Sequence, residues 1–249
     1  MLMICAAYFW SGMTKSARAS GNVRIVSDYG FYHDNFFDFG VVGEVENIGD
    51  VAVEAVNVTV RFYDVFYEEF AVKSRFAELN VLLPGRKAPF EITLYDSEGA
   101  SLVRHYSLSV TWTDLPSGKP CALEILSSYS YFDDDEYLHV NGTVKNGGTS
   151  MANAVKVVAT FYNSNGTVVG EAYRITKPNF LDPDQSVDFD IKLSYLHPAT
   201  LVASYDLTAE STEYTLVPEL SPLCFLPAFA FLILFVLNKR KNPHSDFPC

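Results

Sequence analysis

GEVENIGDVAVEAVNVTVRFYD (Gly43–Asp64) and GTVKNGGTSMANAVKVVATFYN (Gly142–Asn163) are two versions of one pattern, 99 positions apart. Each starts at a glycine, passes through an Asn-x-Gly turn and ends in a strand that closes on Phe-Tyr. The same offset aligns residues 23–110 with 122–209 without a gap. Self-similarity at one fixed offset predicts a duplicated domain.

Each copy alternates apolar and polar residues with a period of two. In the first copy Val56, Val58, Val60 and Phe62 fall on one side of a strand. This alternation is typical of a strand with one buried face. About seven short strands in each copy, separated by turn residues, predict a β-sandwich of the immunoglobulin type.

Turn residues separate the strands at matching places in the two copies. Asn47–Gly49 and Asn146–Gly148 supply residue types that tolerate positive φ. Asn165-Gly166 is a strong hairpin signal in the second copy. The first copy has DVFYEEFA at that place, so we expect a looser hairpin there.

The fold class predicted from these patterns is all-β, with two tandem immunoglobulin-like sandwiches followed by one transmembrane helix. The expected organisation is a signal peptide (1–19), domain 1 (20–113), a linker (114–121), domain 2 (122–211), a stalk (212–219), a transmembrane helix (220–238) and a cytoplasmic tail (239–249).

Composition excludes some classes of protein. The net charge is −12, and a surface this acidic repels phosphate backbones, which argues against nucleic-acid binding. Only Cys121 lies between the two terminal segments, so an intradomain disulfide framework is excluded. No pair of cysteines has the spacing of a structural zinc site.

The C-terminal stretch LSPLCFLPAFAFLILFVLN (Leu220–Asn238) contains no charged residue. Its length approaches the roughly 20 residues that cross a bilayer core as a helix. Basic residues follow at once, and such residues stay on the cytoplasmic side. The bulk of the chain is therefore expected outside the cell, held by a single span. The residues that define this anchor are Leu220, Pro227, Leu237, Lys239, Arg240 and Lys241.

The N-terminal segment is short and apolar and is followed by Ala17-Arg18-Ala19. This small-x-small pattern is typical of a signal-peptide cleavage site. The usual basic residues before the apolar run are missing, which a start codon assigned too far downstream would explain, and we interpret residues 1–19 as a signal peptide.

The repeated motif resembles the FxLYD domain of prokaryotic, especially archaeal, surface proteins. The first copy carries it at Gly43–Gly49, Ala55–Val58, Phe62–Asp64, Leu82–Gly85 and Phe90. The second copy has Asp182-Pro183-Asp184 in place of Leu-Pro-Gly. The resemblance implies immunoglobulin-like sandwiches in an exported protein, and its motifs are core and turn residues that imply no activity.

The C-terminal end is also similar to the Pro-Glu-Phe sorting signal of archaeal exported proteins. Here VPEL (Val217–Leu220), the apolar segment and Lys-Arg-Lys follow in the same order. Leu220 stands where the signal has Phe, and eight residues follow the basic cluster. A retained helix and a helix removed by a transpeptidase both remain open.

Three Asn-x-Ser/Thr triplets can carry N-linked glycans in an exported glycoprotein. They begin at Asn57, Asn141 and Asn165. The first is expected on the outward face of a strand and the last in an exposed turn.

Two loops combine aromatic and acidic residues. YSYFDDDEY (Tyr129–Tyr137) contains a run of four acids, whose oxygens suit Ca²⁺. The alternative is a solvated loop, since four adjacent acids cannot all turn inward. The candidate ligands are Asp133, Asp134, Asp135 and Glu136. The first copy has GFYHDNFFDF (Gly30–Phe39) instead, and its aromatic residues form either core or a binding surface.

The sequence predicts an extracellular structural or interaction protein of the cell envelope, of the adhesion type, without catalytic activity or cofactor. Its expected partners are the membrane and a protein of the envelope. The alternative is an extracellular module that binds carbohydrate or Ca²⁺ through the loops at 29–38 and 129–137. A hydrolase with a site between the two domains is a third hypothesis.

Overall fold

The computed structural model describes residues 19–33 and 37–218, and these form an all-β protein. The first half contains the strands β1 (Val23–Tyr32), β2 (Phe39–Asn47), β3 (Ala52–Tyr63), β4 (Glu69–Phe76), β5 (Val81–Leu82), β6 (Lys87–Leu94) and β7 (His105–Leu115). Two single-turn 3₁₀ helices, Asp96–Glu98 and Ala100–Leu102, connect β6 to β7.

The second half repeats this order. Its strands are β8 (Cys121–Phe132), β9 (Leu138–Asn146), β10 (Ala152–Asn153), β11 (Lys156–Tyr162), β12 (Val168–Ile175), β13 (Phe180–Leu181), β14 (Ser186–Lys192), β15 (Ser204–Glu210) and β16 (Thr215–Leu216). A single helical turn, Leu196–Ala199, precedes β15. The strands β9, β12 and β13 begin and end 99 positions after β2, β4 and β5.

The first strand of each half follows a different offset. Tyr32 lies opposite Phe39, whereas Phe132 lies opposite Leu138, the residue 99 positions after Phe39. The loop before β9 is therefore one residue shorter than the loop before β2. The gap-free alignment, which matched Tyr32 with Tyr131, is wrong for this strand because a loop absorbs the one-residue difference.

Two sheets face each other in each half. In the first half β1-β2-β6 form one sheet, and β3 pairs with β4, β5 and β7 in the other. In the second half β8-β9-β14 face β12-β11-β15. Here β16 pairs with both β15 and β8, so the two sheets are joined along one edge.

The strand bounds also differ from the predicted domain boundaries. β7 runs to Leu115 and β8 begins at Cys121, so the connection is shorter than 114–121. The predicted stalk begins inside the fold, because Tyr214 and Leu216 are each 8% exposed and belong to the core of the second half.

Each half has its own apolar core. Phe62 and Phe90 lie in the first core, and Phe161 and Phe189 occupy the equivalent places in the second. All four are at most 3% exposed, which confirms the burial that the alternation predicted.

The glycine that opens each quoted motif makes room for one of these rings. A Cβ on Gly43 would lie 2.5 Å from the Phe90 ring and 2.5 Å from the Ser27 carbonyl oxygen. A Cβ on Gly142 would meet the Phe189 ring at 2.6 Å. Each glycine thus packs directly against a phenylalanine ring, and the same pair occurs in both halves.

A buried asparagine holds the corner after β2 and after β9. Asn47 Nδ2 donates to the carbonyl oxygens of Val51 (2.8 Å) and Leu82 (2.9 Å), and Oδ1 accepts from Gly49 N (3.0 Å). Asn146 makes the same three bonds one repeat later, at 2.9 Å each. The positive-φ explanation for these turns is wrong, because no residue of either turn has positive φ.

The first hairpin is as tight as the second. Asp64 Oδ1 accepts the backbone N–H groups of Phe66 (2.8 Å) and Glu68 (3.0 Å), as Asn163 does for Asn165 and Thr167. The left-handed position is Tyr67 in the first half and Gly166 in the second. The expected looser hairpin is therefore wrong, since Asp64 forms the same turn without an Asn-Gly pair.

Residues 19–33 and 37–216 form one compact unit, in which the second half packs on the first. The second half covers the outer face of the β1-β2-β6 sheet, which we call the covered face: Tyr29, Phe31, Val42, Glu44 and Glu91. Val168 packs against Phe31 and Val42, and its N–H donates to Ser27 Oγ (2.9 Å). The Tyr162 hydroxyl donates to Glu44 (2.7 Å).

We expect Asn146→Ala to destabilise the protein by several kcal/mol. The change leaves the buried carbonyl of Leu181 and other backbone groups without partners, and each such group costs about 1–3 kcal/mol. Urea unfolding of the purified full chain measures the loss. Asn22→Ala, at an exposed position, is the matched control. A loss for Asn146→Ala no larger than for this control would contradict the role of the corner.

Candidate functional site

Asp133 is the most engaged residue of the predicted acidic loop. Its Oδ1 accepts the backbone N–H groups of Asp135 (3.0 Å) and Tyr137 (2.8 Å). Its Oδ2 lies 3.1 Å from His139 Nε2 and 3.2 Å from Lys192 Nζ. The carboxylate thus closes the loop and joins it to the neighbouring strands.

This environment keeps Asp133 ionised. Burial acts to raise its pKa, but the hydrogen bonds from the Tyr137 backbone, Lys192 and His139 outweigh it and lower the pKa to about 2. The other three candidate ligands, Asp134, Asp135 and Glu136, are exposed. Within residues 19–33 and 37–218, no three acidic, histidine or cysteine side chains converge to hold a metal. The Ca²⁺ site stays a prediction, and Asp133 serves the loop itself.

The aromatic residues of the first loop divide between core and surface. Phe31 is buried and contacts Tyr195, with ring centroids 6.0 Å apart. Tyr32 is half-buried and Phe37 is exposed. Residues 34–36 lie outside the described residues. This loop therefore contributes Phe31 to the contact between the halves.

The aromatic residues of the second copy point to solvent. Tyr129 is 59% exposed and Tyr131 39% exposed. They alternate along β8 and so lie on one side of the sheet. Tyr129 lies opposite Asn141, and Tyr131 lies opposite His139. We call this outer side of β8, β9 and β14 the open face: Tyr129, Tyr131, His139, Asn141, Thr143, Asp190 and Lys192.

Hydrogen bonds and ring contacts order the open face. The Tyr131 ring stacks on His139 with centroids 4.9 Å apart, and the Tyr129 ring lies 6.1 Å from the Tyr131 ring. His139 Nδ1 lies 3.1 Å from both carboxylate oxygens of Asp190. Since Asp133 contacts the other ring nitrogen, the imidazole is fixed from both sides.

A cluster of carboxylates lies between the halves, and the sequence analysis did not anticipate it. Glu78 and Glu91 are buried in the first half, and Glu171 faces them from β12. Arg75 pairs with Glu78 at 2.8 Å, and Lys156 lies 3.7 Å from the same carboxylate. Glu171 Oε2 is buried without a hydrogen-bond partner.

Burial changes the acidity of two members of this cluster. It raises the pKa of Glu91 to about 7, although Arg75 opposes the change. It raises the pKa of Glu171 to about 8, and repulsion from Glu78 and Glu91 adds to the effect. A shared buried site that cannot hold three negative charges at once explains both directions.

A cleft of about 560 Å³ opens beside this cluster, between the two halves. Glu210, on its wall, is 2% exposed and accepts from the Asn80 backbone N–H (2.9 Å) and Nδ2 (2.8 Å). Lys156 Nζ lies 3.4 Å from the same carboxylate. Glu210 therefore fixes one half to the other, and this is the cleft where the hydrolase hypothesis would have its site.

The three sequons lie in different settings. Asn165 is exposed at the tip of the β11–β12 hairpin. Asn57 and Asn141 are half-buried within β3 and β9, with a paired strand on either side. Glycan occupancy at each of them stays a prediction.

The two terminal predictions, the signal peptide and the anchor, fall on residues outside the described ones, apart from Ala19. These include Leu220, Pro227, Leu237, Lys239, Arg240 and Lys241. In the part of the chain that the structure describes, we find no helix with the length and apolar character needed to span a membrane.

Comparison with known proteins does not identify a family. No family model matches the chain, and no curated protein matches it. Among solved structures it is similar to the Amycolatopsis orientalis exo-chitosanase, at 17% identity and a TM-score of 0.29, over 77% of this chain and 26% of that one. It is also similar to red sea bream transglutaminase, at 12% identity and a TM-score of 0.25, over 82% and 32%. The chain spans about a quarter to a third of these proteins, and similarity at this level does not bear on function.

We expect Glu171→Gln to stabilise the protein at pH 8 and to change little at pH 4. The pKa of Glu171 rises from 4.5 to about 8 on folding. Between these pH values the folded chain keeps a proton that the unfolded chain releases, so wild-type stability falls as the pH rises. The amide cannot ionise and removes this loss, so the variant gains stability relative to wild type as the pH rises from 4 to 8.

Urea unfolding of wild type and variant at both pH values measures this difference. Glu68→Gln, on an exposed turn, is the control and should change stability by less than about 0.5 kcal/mol at either pH. An equal effect of Glu171→Gln at pH 4 and pH 8 would show that the carboxyl is not buried between the halves.

Proposed function

We propose that this chain is a membrane-anchored extracellular protein of the cell envelope, with a structural or interaction role and no catalytic activity. In this proposal the two halves are immunoglobulin-like sandwiches of the FxLYD type. The observation that carries the proposal is the packing of one half on the other, which leaves the equivalent face of the second half open.

Direct contacts between the halves support a rigid body. Arg86 donates to the Leu216 carbonyl oxygen (3.0 Å), and Asn80 donates to Glu210. Val158 of the second half is fully buried in the apolar cluster of the first. A body fixed by apolar and charged contacts along several strands suits a protein that holds a surface at a defined distance and orientation.

The membrane anchor rests on the sequence. The uncharged segment 220–238 provides the span, and Lys239, Arg240 and Lys241 set its direction, with the tail in the cytoplasm. The acidic ectodomain keeps the exposed part soluble. The expected partner is another component of the envelope.

A second candidate function is an extracellular ligand-binding module. The exposed tyrosines beside Asn141 and Asp190 favour it, since they combine flat apolar rings with ordered polar groups. This candidate is compatible with the structural role, because a rigid body can also present a binding face.

Protease added to intact cells should degrade the ectodomain and spare a C-terminal tag placed after Cys249. The tag lies behind three cations that do not cross the bilayer. A high-salt wash of the membranes should leave the protein attached, because the attachment is apolar. Immunoblots against the tag measure both results.

Ile233→Arg is the matched control, since an arginine at the centre of the span costs about 2.5–3.5 kcal/mol on insertion. This variant should be lost from washed membranes. Full protection of the ectodomain on intact cells whose surfaces are accessible would contradict the proposed location.

A further inference from the structure

The covered face and the open face are the same surface in two copies of one domain. Tyr129 and Tyr131 correspond to Tyr29 and Phe31 in the strand pairing. In the same way Asn141, Thr143 and Asp190 correspond to Val42, Glu44 and Glu91. The covered face contacts the second half of the chain, whereas the open face is free of such a contact within the described residues.

The differences between the copies indicate what each face contacts. Val42 is fully buried under Val168, and its counterpart Asn141 carries an amide. Gly40 and Thr93 are replaced by His139 and Lys192, which add hydrogen-bonding groups. The open face therefore lacks the apolar centre that the second half of the chain covers on the first half.

The two tyrosines keep their aromatic character although the covering protein is absent. Both residues lie on the part of β8 that pairs with β9 alone, beyond the short pairing with β16, and a row of polar side chains lies beside them. At other positions of the open face, polar side chains stand where the covered face has residues that contact protein. Burial therefore does not explain why the two aromatic rings are retained. A flat ring with adjacent donors and acceptors suits a ligand that has an apolar face and a hydroxylated rim.

Hydrogen bonds and ring contacts hold His139, Asp190 and Lys192 of the open face in place before any ligand arrives. His139 is fixed between Asp133 and Asp190, and Lys192 lies 3.6 Å from the centre of the Tyr137 ring. Preorganised groups lose little conformational entropy on binding. They can donate to and accept from hydroxyl groups along one side of a ring.

We propose that the open face binds neutral oligosaccharides whose pyranose rings carry equatorial hydroxyl groups. Tyr129 stacks on the C–H face of one sugar ring, and Asn141 and Asp190 bond to its hydroxyl groups. A second sugar ring contacts Tyr131. The site deepens the proposed extracellular role and rests on it for its biological setting.

The protein's own glycan could supply the same chemistry. Asn141 begins a sequon and lies directly opposite Tyr129, so a glycan there would reach the same ring. Protein from a host without N-glycosylation therefore tests external saccharides. Glycosylated protein and its Asn141→Gln variant show whether the attached glycan competes.

Calorimetric titration of the purified full chain with cellohexaose and with chitohexaose tests the proposal. The detergent should have no sugar headgroup, because such a headgroup would compete. We expect saturable binding of at least one probe. Tyr129→Ala should weaken it about tenfold or more, as removal of one stacking ring does for nucleobases.

Two further variants separate stacking from damage to the fold. Tyr129→Phe keeps the ring and should retain wild-type affinity, and Phe66→Ala removes an exposed ring away from the open face and should have no effect. Absence of saturable binding for both probes, or equal affinity in Tyr129→Ala, overturns the proposal. Protease accessibility on cells is independent of this result, so the location and the ligand can fail separately.

Discussion

The contact of Val168 with Phe31 and Val42 is the constraint on which the arrangement of this protein depends. The outer face of β1-β2-β6 carries apolar residues that cannot face water without cost. Covering them requires the hairpin formed by β11 and β12, and that hairpin brings Glu171 and Lys156 to the acids of the first half. The charged contacts around Glu78 and Glu210 follow from this placement.

Within each half, the buried asparagine after the second strand has the comparable role. Its amide satisfies two carbonyl groups and its oxygen satisfies one N–H, so the corner of the sheet carries no unpaired group at that position. The two copies keep these bonds with distances that agree within 0.1 Å. An aspartate carboxylate cannot donate these two hydrogen bonds, and a leucine can neither donate nor accept. This explains why a position with no solvent exposure carries an asparagine.

The sequence predicted what each half needs for its own core. The alternation predicted the burial of Phe62 and Phe161, and the repeat predicted that the second half corresponds to the first strand for strand. The register of the first strand could not be read from the offset, because a loop can lose one residue without changing any pairing. The left-handed Ala55 and Ala154 were also missed, since alanine gives no sign of positive φ.

The contact between the halves was missed because it appears only as a difference between the copies. Val158 in the second half is apolar, whereas its counterpart in the first half, Thr59, is polar. Val42 in the first half is likewise apolar, whereas its counterpart in the second half, Asn141, is polar. Comparison of outward positions would have located the covered face. The candidate binding residues were found only in part: Tyr129 and Tyr131 lay in the predicted loop, but His139 and Asp190 join them only through strand pairing.

Unfolding of the full chain and its Val168→Glu variant tests most directly whether the halves form one body. Glu69 already occupies the equivalent place in the first half, so the strand tolerates this residue, whereas the covered face does not. The account predicts one cooperative transition in urea for wild type and two separate transitions for Val168→Glu, with Glu69→Val behaving as wild type. Two transitions in wild type, or an unchanged single transition in Val168→Glu, would contradict it.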